Sequence, residues 1–152
     1  MPTLIENFNN LTEEDFSSYS ESQDLESNGF ELTAGTLHIF GNTWKTKYLT
    51  EPISLNSDSL WSIRAFIDSN PEQNIISEIQ GFGLASVNPD GSLGDRIKYA
   101  FAGSQEVNAD TWEWVYQGAF SIQEWHTYEL EVGKDFHRKF GYYPEISALY
   151  FF

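Results

Sequence analysis

Turn-forming clusters break this sequence at short, regular intervals. They include "TAG" from Thr33, "GN" from Gly41, "NSDS" from Asn56, "NPEQN" from Asn70, "NPDGSLGD" from Asn88, "GSQEVNAD" from Gly103, "QGA" from Gln117, "GKDF" from Gly133 and "GYYP" from Gly141. The runs between them are short and rich in aromatic and β-branched residues, which is the pattern of a many-stranded sandwich or barrel. Within the runs the apolar residues alternate. Trp61, Ile63, Ala65 and Ile67 oppose Ser62 and Arg64; Ile97, Tyr99 and Phe101 share one parity; Tyr128, Leu130 and Val132 oppose Glu129 and Glu131. Successive side chains of a strand point to opposite faces, so each run has an inward and an outward side.

Two runs depart from alternation. In "SEIQGFGLASV" the apolar parity shifts between Ile79 and Phe82, which predicts a bulge at Gly81 or Gly83. The run "ISALYFF" from Ile146 is apolar on both parities and reads as a central strand covered on both faces. Residues 9–29, rich in Ser, Glu and Asp, read as an acidic loop pinned by Leu11, Phe16, Tyr19 and Leu25. The 152 residues form one domain by length. The expected fold is all-β, an antiparallel two-sheet β-sandwich.

Charge narrows the partners. The formal net charge is -15, from 23 acidic residues against 8 Lys and Arg. Such a chain lacks the dense cations that neutralise phosphates, so nucleic acid is not an expected partner, nor is an anionic membrane surface. No apolar run approaches a membrane span, and the N-terminus lacks the basic and apolar regions of a signal peptide. Without cysteine there is neither a disulfide nor a thiolate metal site.

Nucleophile elbows, phosphate-binding loops and zinc-binding helices are all absent, and no organic cofactor is expected. Glu78 and Glu113 are the nearest approach to a glycosidase carboxylate pair. Binding has better candidates. Trp112, Trp114 and Tyr116 share parity in "DTWEWVYQG", forming an aromatic stripe that is either core or an exposed platform for sugar rings. Arg64, Gln80, Arg96 and Lys98 are the polar partners expected around it. A second candidate is "DFHRKFGYYP", read as a loop that sets Arg138 beside Tyr142 and Tyr143. Trp44 reads as a hairpin residue packed on the core edge, and Lys45 as a solvated flank.

The order of Gly41-Asn42-Thr43-Trp44-Lys45, the strand at 59–67, Glu78-Ile79-Gln80-Gly81-Phe82-Gly83-Leu84, Val132-Gly133 and a closing apolar strand resembles non-catalytic carbohydrate-binding modules of bacterial polysaccharide-active or secreted proteins. The resemblance covers roughly residues 30–152. It implies a jelly-roll, a polysaccharide or oligosaccharide ligand held by aromatic residues, an extracellular or cell-surface location, a larger multidomain parent and a structural calcium ion. Glu6 and Asn7, near the first strand, are candidate ligands for it but fall short of the six or more oxygens that calcium takes, so no calcium site is assigned. Two other readings stand beside it: a structural or protein-interaction domain with its aromatics buried, and a small β-fold hydrolase or lyase.

Overall fold

The computed structural model describes residues 3–19, 24–25, 29–68, 79–103 and 123–152, together with the backbone of 112–116. The described residues form ten strands: β1 (Ser17–Ser18), β2 (Phe30–Thr33), β3 (Thr36–Ile39), β4 (Lys45–Ser54), β5 (Trp61–Phe66), β6 (Gln80–Val87), β7 (Leu93–Ala102), β8 (Trp112–Tyr116), β9 (Trp125–Leu130) and β10 (Glu145–Phe151). An α-helix, α1 (Val132–Phe140), precedes β10, and a single 3-10 turn spans Glu13–Asp15. A six-stranded sheet runs β1-β4-β10-β6-β7-β8, and two ribbons pair β2 with β3 and β5 with β9. The protein is therefore mostly β, with antiparallel pairing at every junction but one. β8 runs parallel to β7, a direction that alternation cannot reveal, because period 2 fixes the faces of a strand and not its sense.

β10 sits inside the six-stranded sheet, and its two apolar parities account for the two cores. Leu149 and Phe151 join Phe82, Leu84, Ile97, Tyr99 and Phe101 in the larger core, which is completed by Tyr128 and Leu130 from β9 and by Val132 and Phe136 from α1. Half-buried Ile63 and Ala65 of β5 and Leu32, Leu37 and Ile39 of the β2–β3 ribbon pack on it. Each fully buried Leu, Ile or Phe contributes roughly 1.5–3 kcal/mol. Ala148, Tyr150 and Phe152 take the opposite face with Trp44, Ala85 and Ala100. Ile146 has the parity of Ala148 yet belongs to the larger core, because the β4–β10 register shifts between those two residues. The expected bulge in β6 falls between Gln80 and Gly81. Gly83, paired with Tyr150, has no room for a side chain: a Cβ there would lie 2.1 Å from Tyr150 Cζ.

Three expectations are corrected. Residues 135–140 are helical, because Val132, Phe136 and Phe140 recur at helical spacing. Gly141 then ends the helix at φ 78°, its N–H donating to the His137 carbonyl. Lys45 is not a solvated flank: it is 4% exposed and its Nζ donates to Asp24 Oδ2 at 2.7 Å. Leu25 does not pin the acidic loop, being 64% exposed, whereas Phe16 is buried in the larger core.

Candidate functional site

The β5–β9 ribbon places aromatic residues on its solvent side. In β5, Trp61, Ile63 and Ala65 turn towards the core, and Ser62, Arg64 and Phe66 are exposed. In β9, Tyr128 and Leu130 are buried, and Trp125, Thr127 and Glu129 are exposed. The register pairs Ser62 with Glu129, Arg64 with Thr127 and Phe66 with Trp125, so these six residues form three adjacent rows on one outward face. Phe66 and Trp125 meet edge to face with centroids 5.7 Å apart. The Arg64 guanidinium lies over the Trp125 ring at 5.0 Å, a contact worth roughly 0.5–1 kcal/mol at an exposed site.

A polar group closes one end of this face. The Gln123 N–H donates to the Ile67 carbonyl at 2.8 Å, just beyond the last register pair of the ribbon, Phe66 with Trp125. Gln123 Nε2 donates to Asp68 Oδ1 at 2.7 Å, and Gln80 Nε2, from the edge of the six-stranded sheet, donates to the Asp68 carbonyl at 3.1 Å. Gln123 has φ 60°, a left-handed conformation that costs free energy in a non-glycine residue and is held only where surrounding contacts determine it.

A second concentration of aromatics and cations lies on the other face of the six-stranded sheet. Lys98 Nζ stands 4.9 Å from the Tyr19 ring, 4.8 Å from Trp44 and 6.0 Å from Tyr150. The Arg96 guanidinium lies 5.5 Å from Tyr19, and Trp44 stacks on Phe152 at 4.2 Å. This group is closed: Lys98 is 1% exposed, Tyr150 0% and Trp44 9%. Burial, and secondarily the Arg96 charge, lowers the Lys98 pKa to about 7. Burial likewise raises the Tyr19 and Tyr150 hydroxyls.

The residues expected to form one site fall into three places. Arg64 and Gln80 belong to the β5–β9 face and its rim. Arg96 and Lys98 lie on β7, where the parallel register sets Trp112 beside Arg96, Trp114 beside Lys98 and Tyr116 beside Ala100. The side chains of Trp112, Trp114 and Tyr116 lie outside the described residues, as do Glu78 and the Glu113 side chain. Arg138, Tyr142 and Tyr143 cluster at α1 and its end. There Arg138 Nη1 donates to Asp135 Oδ1 at 2.8 Å, and Tyr143 stacks on His137 at 4.8 Å. The Tyr142 hydroxyl donates to Asp95 Oδ2 at 2.6 Å; burial, then this carboxylate, raises its pKa to about 12. Phe66, Trp125, Asp68 and Gln123 were not anticipated. Their signal was parity: Phe66 stands with Ser62 and Arg64, and Trp125 with Thr127 and Glu129, on the polar side of otherwise well-patterned strands.

Among the described residues no three His, Asp or Glu side chains converge as a metal-ligand set. Glu6 is already engaged. Its Oε1 accepts from the amides of Asn7 and Phe8, both at 2.8 Å, and its Oε2 lies 3.4 Å from Lys47 Nζ. Glu6 is also the carboxylate lining a largely apolar cavity of about 80 Å³ between Ile5, Phe8, Trp61 and Phe82, where nothing pairs it with a second acid. No helix of the described residues is long and apolar enough to cross a membrane. No protein-family model matches the chain, and no curated protein matches it.

Proposed function

We propose that this chain is a non-catalytic glycan-binding module, a two-sheet β-sandwich of jelly-roll type that holds a polysaccharide or oligosaccharide on the outer face of β5 and β9. The observation that carries this reading is the adjacent pair Phe66 and Trp125, 44% and 48% exposed, flanked by Arg64 on one side and by Asp68 and Gln123 on the other. Aromatic rings left in water beside fixed hydrogen-bonding groups suit the C–H faces and hydroxyls of sugars. The module would serve within a larger secreted or surface protein, with any calcium playing a structural part away from this face. The strand Trp112–Tyr116, in register with Arg96 and Lys98, is the second place for a ligand on this reading.

Affinity electrophoresis in polysaccharide gels tests it. Trp125→Ala and Phe66→Ala should each weaken retention about tenfold, a loss of about 1.4 kcal/mol, with little change in melting temperature. Retention unchanged in both variants would move the site to β8, where Trp112→Ala and Trp114→Ala are the corresponding substitutions. The exposure of Leu4 at 71% and Leu60 at 67% favours a second reading, a protein-interaction domain, which predicts no retention on any glycan.

A further inference from the structure

We infer that the ligand of the β5–β9 face is a neutral, hydroxyl-rich sugar chain whose hydroxyls are read by the Asp68 carboxylate, and that uronate- or sulfate-bearing chains are turned away there. This rests on the glycan-binding reading above. Asp68 and Gln123 lie two residues beyond Phe66 and Trp125, just past the paired ends of β5 and β9, and the Gln123–Asp68 hydrogen bond holds the carboxylate at that end of the ribbon. A ring seated on the aromatics puts its own hydroxyls, or those of the next sugar, at the carboxylate.

Asp68 is exposed, and Gln123 fixes its orientation through Oδ1. Its Oδ2 accepts no hydrogen bond from a described side chain. An ionised carboxylate only accepts, so whatever it meets must donate, and a hydroxyl donates where another carboxylate or a sulfate cannot. The charges on the face agree. Among the described residues, the three rows and the Asp68–Gln123 pair at their end carry one cation, Arg64, against two carboxylates, Asp68 and Glu129, with Glu124 exposed next to Trp125. The Arg64 guanidinium is moreover laid over the indole of Trp125. The -15 net charge of the whole chain adds long-range repulsion of polyanions.

The test uses the full chain in gels containing neutral β-glucan, xylan or galactomannan, and polygalacturonate or a sulfated galactan. Runs at about 0.01 M and about 1 M salt set the Debye length near 30 Å and 3 Å. At least one neutral chain should retard the protein equally at both salts, and the acidic chains should not retard it at low salt. Asp68→Asn should weaken neutral retention about tenfold. Asp68→Glu, which keeps the charge but displaces the oxygens, should weaken it to a lesser degree, and it serves as the deciding variant if Asp68→Asn lowers the melting temperature. Retention by an acidic chain that is strong at low salt and lost at high salt would overturn the inference. So would undiminished neutral retention in both Asp68 variants while Phe66→Ala and Trp125→Ala abolish it, an outcome that leaves the platform standing. Neutral retention that survives both aromatic substitutions would instead move the site off this face and overturn the inference with it, and no retention by any chain would remove the glycan-binding reading itself.

Discussion

The face built by Arg64, Phe66 and Trp125 and the cluster built by Lys98, Tyr19, Trp44 and Tyr150 use the same materials, a cation laid over aromatic rings. One is open to solvent and the other is sealed. On the ribbon the strands alternate cleanly, and the rings occupy the polar parity, so they stay outside. On the six-stranded sheet the central strand β10 is apolar on both parities, and Gly81, Gly83, Ala85 and Ala148 leave room for large rings to lie flat on the backbone. A tryptophan's role here follows from the residues two places away from it rather than from the ring itself.

Truncating one ring from each group should separate them most sharply. Trp44→Ala empties a stacked, buried site and should cost roughly 3–5 kcal/mol in urea unfolding, whereas Trp125→Ala should change stability by less than about 1 kcal/mol while weakening glycan retention. Equal destabilisation by the two would erase the distinction. A loss of comparable size is expected from Asp24→Ala, which strands the buried Lys45 ammonium without its carboxylate; breaking such a pair typically costs about 3–5 kcal/mol. Lys45→Met in the same background should recover much of it.

Lys98 gives the next effect, and it depends on pH. Above its ordinary pKa of 10.5 the amine is neutral in both folded and unfolded chains. Between there and about 7, the unfolded chain binds a proton that the folded chain refuses, so stability falls as pH falls, with a slope up to about 1.4 kcal/mol per pH unit. Below about 7 the folded amine is protonated too, and the contribution levels off. Chemical denaturation from pH 7 to 10 should therefore show stability rising with pH, and Lys98→Met should flatten that rise. Above pH 10 the buried Tyr99 and Tyr150, whose pKa values are raised, act in the opposite sense, because only the unfolded chain releases their protons. The smallest effect belongs to the open face: Arg64→Gln should cost at most about 1 kcal/mol, and a larger loss would mean that the face is packed.

Much of the strand framework is legible in the sequence. The doubled apolar parity of Ile146 to Phe152 marks the central strand, and the parity shift before Phe82 marks the bulge. What alternation cannot carry is anything set by a distant partner. Lys45 reads as solvated because Asp24, the residue that makes its burial tolerable, lies 21 positions away. The direction of β8 is equally silent. The helix was legible in principle, since Val132, Phe136 and Phe140 before Gly141 with a basic last turn form a helix and its stop; the density of charged and turn-forming residues around Arg138 obscured it. The candidate face was half visible. Arg64 and Gln80 could be named for their chemistry, whereas Phe66 and Trp125 become a pair only once β5 is known to lie beside β9.

The placement of β10 between β4 and β6 also bears on how quickly the molecule can be made. Ser54 and Glu145 meet across 91 positions, so the two halves of the six-stranded sheet, β1–β4 and β6–β7–β8, cannot be joined until a strand from far along the chain has been captured. The entropy of closing such loops must be met before the contacts return anything. Chains dominated by pairings of this kind fold in milliseconds to seconds rather than microseconds. During that interval β4 and β6 present unsatisfied edges, and the Lys47 and Pro52 of β4, a charge and a residue without an amide proton, are suited to discourage their capture by another chain in the meantime.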